Sequence, residues 1–369
     1  MATILFYAPF NQRSRDTESL MLAFYRQGHR VISLSQQEGF LINDFLNANG
    51  ISAYSYVLAG KRGGWWYYLR HLLFFVRFCR KHHVEIVYSH LEPANFIAAL
   101  AQFLIKATVF VCRHHSDQYR GLKRDNDLSY RLTYRLAKHI IVFSEITRHY
   151  MIREERIPRH KITRINLGYD FSLYPAVRIG HVESIKQLYS ADIMLITVGS
   201  FIPLKRTEIS IYVVKVLLDK GFDTKLFLLG KGELEHSLRA LVEKLDLMDR
   251  VFFPGYVDNV LEYIAASSFL LHPSLSEASC VAVKEAGLVN KPVITCSGVG
   301  DFDDYIVHKK NGFSVAPDKF LEQASEIIQE NFRNHDFLKG VGENLRKSVI
   351  ELFSIENVIG HYNSLNNTR

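Results

Sequence analysis

Short apolar runs alternate along the chain with longer segments whose apolar residues recur at helical spacing. Each run of five or six residues is typical of a strand buried on both faces, and each longer segment indicates a helix packed on the sheet. This alternation predicts a parallel sheet covered by helices on both faces. The strands predicted in the first half are residues 3–8, 29–34, 53–58, 85–89, 108–112 and 139–143.

The same alternation starts again after a less regular region at residues 157–190. The second half is predicted to contain strands at residues 193–198, 224–229, 251–253, 268–272 and 292–295. We therefore predict an α/β protein of two doubly wound, Rossmann-like domains, residues 1–168 and 182–353, facing each other across a cleft. A terminal helix at 354–369 is expected to be capped by Ser354. Ligands of such sheets bind beyond the carboxyl ends of the strands.

The stretch with the clearest chemical pattern is residues 272–286. A short apolar run there indicates a buried strand, a Pro-Ser pair ends it, and an apolar pattern of helical spacing follows. Ser279 or Ser276 is expected to cap this helix, which leaves backbone N–H groups of the first turn pointing at the loop. A helix that begins at the carboxyl end of a parallel strand is a ready anion site.

Two glutamates, Glu277 and Glu285, stand eight residues apart in this stretch. The pattern places Glu277 at the mouth of the anion site and Glu285 about two helical turns further along. Carboxylates at these positions suit a ligand with a phosphate flanked by two polyhydroxyl groups. The alternative is a coincidence on a solvated helix, but the strand and the Pro-Ser turn before the pair favour a site.

The same stretch resembles the donor-sugar motif of the retaining GT-B glycosyltransferases of family 4. That family shows Pro-Ser, two residues, Glu, seven residues and Glu-Ala, which match here at Pro273, Ser274, Glu277, Glu285 and Ala286. The resemblance implies that Glu277 holds hydroxyls of the transferred sugar and that Glu285 binds the ribose of a nucleotide donor. It also implies that the terminal helix crosses back to pack on the first domain.

The turn after the first glutamate departs from the family pattern. The family usually has Glu-Gly-Phe-Gly, whereas this chain has Glu277, Ala278, Ser279 and Cys280, followed by Val281. The turn therefore lacks the glycines that let the backbone approach a ligand closely. The resemblance still implies that these residues contact the donor.

A glycine turn and two cations follow the first predicted strand of the second half. Gly199 and Lys205 match the family's phosphate-binding segment, and Ser200 stands where the family has an arginine. A glycine turn, a cation and a helix start together suit a phosphate. The resemblance implies that Lys205 neutralises the departing diphosphate, and Arg206 or an arginine of the first domain is expected to replace the missing cation. A solvated loop is the alternative.

Two further turns of the second half match weaker family features. Gly230 opens a Gly-Lys-Gly segment that matches the family's Gly-x-Gly turn, and residues 253–257 resemble the segment along the nucleotide base. Tyr256 is the expected stacking partner of that base. Plain strand-to-helix turns would explain both segments without a ligand.

Histidines follow two of the predicted strands in the first half. His114 and His115 come after strand 108–112, and His90 follows strand 85–89. Adjacent histidines are poor metal ligands because successive side chains diverge, so no metal site is expected. The resemblance implies that His114 contacts the donor sugar, with His115 and His90 as weaker candidates. An ordinary surface or core histidine is the alternative.

Charge is distributed unevenly between the two halves. Residues 1–175 hold 24 Lys and Arg against 13 Asp and Glu, a net +11, while the remainder carries −4. Arg13 and Arg15 of the first loop suit a diphosphate or an anionic acceptor, and a solvated loop is an equal alternative. Residues 61–81 combine cations with Trp and Tyr, which suits a lipid headgroup interface unless these aromatics fill the core. No nucleic-acid motif accompanies the charge, so no nucleic-acid partner is expected.

Composition adds few constraints. The 369 residues are 48% hydrophobic and 22% charged, which is enough to bury two ordinary cores. Four scattered cysteines without metal-ligand spacing suggest a reducing cytoplasm. No apolar run reaches the roughly 18 residues of a membrane span, and the first apolar run lacks the basic segment of a signal peptide.

The resemblance implies a metal-independent, retaining GT-B glycosyltransferase without cofactors, in which Glu277, Lys205 and His114 serve the reaction. The predicted donor is a nucleotide-diphospho-sugar, with UDP expected, and the acceptor a glycan or lipid-linked sugar of a bacterial surface polysaccharide. The protein is expected in the cytoplasm, with an anionic membrane surface as a partner of its basic first domain. An epimerase-like enzyme of the same fold and a binding module without catalysis are the alternatives.

Overall fold

A computed structural model gives the structure of the chain. It describes residues 1–10, 13–38, 41–58, 64–114 and 128–367.

The chain divides into two compact units. The first comprises Met1–Phe171 and Phe353–Arg369, and the second comprises Ser172–Leu352. The limits of the first unit lie close to the predicted ones, but the second begins ten residues earlier than predicted. The ten residues before 182 belong to the second unit because they pack on it. The Asn259 side chain, for example, donates to the Ala176 carbonyl at 2.9 Å.

Seven parallel strands form the sheet of the first domain. They are β1 (Thr3–Ala8), β2 (Arg30–Ser35), β3 (Ser52–Ser55), β4 (Ile86–His90), β5 (Thr108–Arg113), β6 (His139–Val142) and β7 (Ile162–Arg164). Their order is β3-β2-β1-β4-β5-β6-β7, so the chain winds outward in both directions from β1 and β4, as in doubly wound folds. All five residues of β4 are buried, as expected for a central strand covered on both faces.

Six parallel strands form the sheet of the second domain. They are β8 (Ile193–Val198), β9 (Thr224–Leu229), β10 (Val251–Gly255), β11 (Phe269–His272), β12 (Val293–Cys296) and β13 (Phe313–Val315). Their order is β10-β9-β8-β11-β12-β13, with the reversal of direction between β8 and β11. The carboxyl ends of these two strands are where such sheets place ligands.

Helices connect the strands of both sheets. The first domain has α1 (Arg15–Arg26), α2 (Leu41–Ala48), α3 (Trp65–Lys81), α4 (Ala94–Ala101), α5 (Leu128–Leu136) and α6 (Glu145–Arg153). The second has α7 (Ile179–Leu188), α8 (Thr207–Asp219), α9 (Glu235–Lys244), α10 (Val260–Ala266), α11 (Val281–Leu288), α12 (Phe302–Tyr305), α13 (Phe320–Asn331) and α14 (His335–Phe353). Among the helices described, none joins the length and the apolar character that crossing a bilayer demands.

The last helix, α15 (Ile355–Asn367), completes the first domain. Tyr362 meets Phe24 of α1 edge to face, with ring centroids 6.3 Å apart. The Tyr88 hydroxyl of β4 donates to Asn366 Oδ1 at 2.7 Å. The helix therefore packs on the first sheet and its first helix, which is the arrangement that the family resemblance implied.

The predicted strand limits differ most where strands are short or lie at an edge. Strand β3 ends at Ser55 rather than at residue 58, and its residues are mostly exposed. The edge strands β7 and β13 have only three residues each, too few to give an apolar run in the sequence. The central strands β8 and β9 have the predicted limits, because both are rich in apolar residues.

Candidate active site

Three turns at the carboxyl edge of the second sheet lie directly against one another. The Gly199 N–H after β8 donates to the Leu229 carbonyl at 3.0 Å, and the Gly230 N–H after β9 donates to the Gly255 carbonyl at 3.1 Å. These bonds continue the ladder beyond the strand ends. The turns after β8, β9 and β10 are therefore held at fixed positions by backbone alone.

Glycine is required where these turns touch. At Gly230, which has φ of 138°, an added Cβ would stand 1.9 Å from the Gly199 carbonyl oxygen. At Gly232, an added Cβ would stand 2.4 Å from the Phe201 carbonyl oxygen. Backbone packing thus explains the Gly-Lys-Gly segment without any ligand. What points to a ligand is the cavity that this turn borders.

A cavity of about 270 Å³ opens beside the three turns. Five of the predicted donor-site residues line it: Gly199, Ser200, Gly230, Tyr256 and Glu285. They come from four separate segments of the sequence, so the structure brings together most of the predicted nucleotide side of the site. Glu285 reaches the cavity from α11, whose start faces the same edge of the sheet.

One cation of this cavity was missed by the sequence analysis. Lys231 lines the cavity, and its ammonium lies 5.7 Å from the ring centroid of Tyr256. Tyr256 itself is 79% exposed. The available signal was a lysine held between two glycines in a strand-to-helix turn, which places a positive charge at the carboxyl edge of the sheet.

Glu277 lies outside this cavity, in a buried polar cluster. Its carboxylate forms an ion pair with the Lys205 ammonium and accepts a hydrogen bond from His272 Nε2 at 2.5 Å. The other ring nitrogen of His272 lies 3.7 Å from the Cys280 sulfur. The Glu277 side chain is only 9% exposed. Lys205 and Glu277, which were each predicted to contact the donor, are therefore in direct contact with one another.

The charges of this cluster stabilise one another. Burial would raise the pKa of the Glu277 carboxyl, but His272 and Lys205 outweigh burial and hold that pKa far below its usual range. Burial also opposes protonation of His272, but Cys280 and Glu277 raise its pKa to about 9. Glu277 is consequently a carboxylate at neutral pH, and ionised carboxylates are strong acceptors for ligand hydroxyls.

The helix after this turn does not use the predicted caps. It begins at Val281, with Cys280 at the N-cap position and no hydrogen bond from the Cys280 side chain to the first turn. Ser279 was expected to cap it, but its hydroxyl donates to Asp301 Oδ2 at 2.5 Å. A buried carboxylate is a stronger partner for a hydroxyl than a helix N–H group is. Ser276 lies in the turn before the helix.

A buried ion pair that was not predicted from the sequence lies beneath this turn. The Lys284 ammonium donates to Asp301 Oδ2 at 2.6 Å, and both side chains are 0% exposed. The adjacent Gly300 has φ of 56°, and an added Cβ there would stand 2.7 Å from Glu277 Cβ. The pair therefore fixes the loop on which Glu277 rests. The only sequence signal was a lysine among the apolar residues of a short helix.

Arg206 is bound within its own domain, and its role as a replacement for the missing phosphate cation stays a prediction. Its guanidinium donates to the carbonyls of Pro273 and Pro317, at 2.8 Å each, and its second terminal nitrogen lies 3.4 Å from the Cys296 sulfur. Arg206 adopts φ of 48° at the start of α8. This side chain ties together the loops that follow β11, β12 and β13.

The turn residues 278–281 are close to the cluster but do not line the cavity. Ser279 and Cys280 are buried, while Ala278 and Val281 are half-buried. The lining of the cavity includes none of these four residues. Their contact with a donor therefore stays a prediction.

In the first domain, two of the predicted histidines are in contact. His90 Nδ1 at the end of β4 lies 2.9 Å from His114 Nε2 after β5. His90 is 6% exposed, and burial lowers its pKa to about 4, so its ring is neutral at neutral pH. The His114 ring packs on Phe143, with centroids 4.7 Å apart. His115 lies outside the described residues.

The arginines of the first loop are positioned by their own domain. Arg13 forms a two-pronged ion pair with Glu18, with N–O distances of 2.5 and 2.8 Å, and its guanidinium lies over Phe45. The carboxylate of Glu18 is fully buried and raises the pKa of Arg13. Arg15 is the first residue of α1. Arg13 is therefore already neutralised within the domain, which the sequence pattern did not indicate.

Both domains match glycosyltransferase families. A family model described as glycosyl transferases group 1 matches residues 183–348, and one described as glycosyltransferase family 4 matches residues 14–173. The capsular polysaccharide biosynthesis glycosyltransferase CapM of Staphylococcus aureus is 23% identical over 318 residues, which cover 81% of each chain. The N-acetyl-alpha-D-glucosaminyl L-malate synthase of Bacillus anthracis is 28% identical over 47% of this chain, a match that spans only 44% of that relative.

Solved structures share the fold. Anabaena HepE, solved in complex with UDP and glucose, superposes with a TM-score of 0.84 over 100% of both chains at 17% identity. At this level of identity, the likeness establishes the architecture. The predicted fold of two Rossmann-like domains of the GT-B type is confirmed.

Proposed function

We infer that this chain is a glycosyltransferase of the GT-B fold, and we propose that it moves a hexose-type sugar from a UDP-sugar to a glycan or lipid-linked acceptor. The observation that carries the proposal is the cavity where Glu285, Tyr256 and the glycine turns of β8 and β9 meet. Two relatives support the substrate class. One is named for capsular polysaccharide biosynthesis, and the other was solved with UDP and glucose.

The cavity supplies groups for the nucleoside of the donor. We propose that the Glu285 carboxylate accepts hydrogen bonds from the two ribose hydroxyls. The exposed ring of Tyr256 offers a face on which the base can stack, beside the Lys231 ammonium. The 270 Å³ volume suits a nucleoside rather than a whole nucleotide-sugar, so the sugar extends beyond the cavity.

The diphosphate would lie near Lys205 and the start of α11. In the structure, Lys205 is paired with Glu277. We propose that the ammonium turns to the diphosphate when the donor binds. His272 stays hydrogen-bonded to Glu277, so the carboxylate keeps one cationic partner after Lys205 has moved. Lysine suits this role because its flexible stem carries a point charge with three donors.

The proposed reaction retains the configuration of the sugar. The acceptor hydroxyl attacks the anomeric carbon on the face from which the diphosphate leaves. A new C–O bond forms while the bond to the diphosphate oxygen breaks, and the hydroxyl proton passes to that oxygen. Lys205 and Lys231 stabilise the charge that develops on the leaving group, a task that we assign to these lysines rather than to a metal ion. We propose that Glu277 fixes the sugar through its hydroxyls.

A lipid surface is the proposed setting of the acceptor. Trp65 and Trp66 at the start of α3 are 65% and 60% exposed, and Leu73 further along is 50% exposed. The first half carries a net +11. Exposed Trp side chains within a basic domain favour an anionic membrane surface, here the inner face of the plasma membrane. Sedimentation with anionic vesicles tests this, and equal binding by the Trp65→Ala/Trp66→Ala variant would contradict it.

A thermal-shift screen against UDP-, GDP-, ADP- and dTDP-sugars tests the donor site. Stabilisation follows RT ln(1 + [L]/Kd), so a specific donor at 100 times its Kd adds about 2.7 kcal/mol. We expect a UDP-sugar to stabilise the wild type and to stabilise Glu285→Gln clearly less. No shift from any of these donors, or an equal shift in the variant, would overturn the assignment. The anomeric configuration of the product, measured by NMR, tests retention.

A further inference from the structure

A second cavity, of about 590 Å³, opens at the amino edge of the second sheet. It is bordered by Met194 near the start of β8, by Ser268 just before β11 and by Pro292 just before β12. The donor cavity lies at the carboxyl edge of the same sheet. The two cavities therefore lie at opposite edges of the sheet. Even a strand of four residues spans about 13 Å, so the cavities are separate sites.

The charged lining of this second cavity is mostly cationic. Lys186, Lys291 and Lys339 line it, and Asp192 is the single acidic side chain in the part of its lining that the structure describes. The cations come from α7, the loop before β12 and α14, so three elements contribute to one concave surface. Such convergence raises the positive potential inside a concavity.

Lys291 is the central cation of this set. The ammonium of Lys291 forms no hydrogen bond or ion pair within the described parts of the chain, and the side chain is half-buried. Burial, followed by the nearby charge of Lys186, lowers the pKa of Lys291 to about 8. Holding a cation there without a counter-charge costs free energy, which an anion in the cavity would recover.

The flanking lysines are available to such an anion. Lys186 pairs with Glu183 at 3.0 Å, and Lys339 lies 4.0 Å from Glu343. Both pairs are solvent-exposed, and exposed ion pairs are worth only about 0–1 kcal/mol. Either ammonium can therefore exchange its surface partner for a ligand at little cost.

We propose that this cavity binds a small, multiply charged anion of the phosphate class, supplied as inorganic phosphate or as the phosphate of a nucleotide. Lysine ammonium groups converging from separate elements suit the several oxygens of such an anion. Nothing in the proposal depends on the donor cavity or on sugar transfer.

The rate at which an amine-reactive reagent labels Lys291 measures whether an anion occupies the second cavity. The full chain is labelled with an amine-reactive reagent near pH 8, and the rate at Lys291 is followed by peptide mass spectrometry. Inorganic phosphate is compared with sodium chloride at equal ionic strength, and UDP is tested in parallel. At ten times its Kd, a bound anion slows labelling about tenfold. Lys347, which is exposed on α14 outside the cavity, is the internal control and keeps its rate.

A double variant separates this cavity from the donor site. Lys186→Ala/Lys339→Ala retains Lys291 as the reporter, and we expect it to lose most of the protection, whereas Lys347→Ala keeps it. Slower labelling of Lys291 in inorganic phosphate would identify a free anion as the ligand. Slower labelling in UDP alone would identify a nucleotide. Equal labelling in phosphate, UDP and chloride overturns the proposal, as does protection that survives in the double variant. Phosphate-dependent thermal stabilisation, which must be smaller in the double variant than in the wild type, gives a second measurement.

Discussion

Glu277 lies in the loop before α11 and Glu285 lies within that helix, but the polar groups around the two residues differ in burial. Glu277 is 9% exposed and contacts Lys205 and His272, and the ion pair beneath it is 0% exposed. Glu285 instead lines an open cavity together with Tyr256, which is 79% exposed. Buried charges depend on their protein partners, so the first region should govern stability, whereas the second should govern ligand binding.

The largest expected effect comes from breaking the buried ion pair. Lys284→Ala leaves the Asp301 carboxylate without its cation at a position that is 0% exposed. Removing one partner of a buried pair costs about 3–5 kcal/mol. We expect the free energy of unfolding, measured by urea denaturation, to fall by that amount.

Two controls show whether the loss comes from the unpaired charge. Lys284→Ala/Asp301→Ala should be less destabilised than the single variant, because no lone carboxylate remains. Lys215→Ala removes a cation from the solvent-exposed pair with Asp219 and should cost less than about 1 kcal/mol. If Lys284→Ala and Lys215→Ala lower the free energy of unfolding equally, the buried pair has no special role in stability.

The second prediction concerns the close backbone contact between the turns after β8 and β9. Gly230→Ala adds a methyl group 1.9 Å from the Gly199 carbonyl oxygen and also strains the backbone. We expect a loss of about 3 kcal/mol in urea denaturation and a weaker response to UDP-sugars, because the turns must separate. Gly221→Ala is the matched control, since it has φ of 84° but nothing within 4 Å of the added atom. It should lose only about 1 kcal/mol, the cost of the backbone strain.

A substitution of Glu285 tests whether the open cavity governs ligand binding rather than stability. Glu285→Gln keeps the size of the side chain but removes the charge that we propose accepts two ribose hydrogen bonds. Hydrogen bonds to charged groups are worth about 1.5–3 kcal/mol, so the Kd for UDP should rise roughly 10- to 100-fold by calorimetry. The free energy of unfolding without ligand should change by less than about 1 kcal/mol. A loss of stability comparable to that of Lys284→Ala would show that Glu285 belongs to the buried region after all.

The pH dependence of stability tests the buried histidine. The pKa of His272 is raised from 6.5 to about 9, so its stabilising contribution is complete below pH 6.5 and is lost as the pH rises towards 9. We expect the free energy of unfolding to fall by about 1–3 kcal/mol over this range. His272→Gln does not titrate and should lack this part of the decrease. Parallel pH profiles for the two proteins would contradict the proposed charge on His272.

The parts of the site that could be predicted from the sequence are those encoded by local pattern. Strands 193–198 and 224–229 are rich in apolar residues, and their carboxyl ends led directly to Gly199 and Gly230. Parallel strands place such ends at one edge, so Glu285 could be expected beside them. The structure confirms that these residues share a cavity.

The remaining features depend on partners that are distant in the sequence. Ser279 failed as a cap because Asp301, 22 residues later, accepts its hydroxyl. The Arg206 guanidinium is bound by the Pro317 carbonyl, 111 residues later. No local pattern encodes either contact, since both arise only when the loops after β11, β12 and β13 come together.

The smallest expected effect concerns Tyr256. Stacking of a base on an aromatic ring is worth about 1–3 kcal/mol, and the lower end applies here because the ring is 79% exposed. Tyr256→Ala should therefore raise the Kd for UDP about fivefold and leave the free energy of unfolding unchanged. Tyr256→Phe retains the ring and should bind UDP like the wild type. If Tyr256→Phe loses as much affinity as Tyr256→Ala, the hydroxyl rather than the ring face makes the contact, and the base does not stack on this side chain.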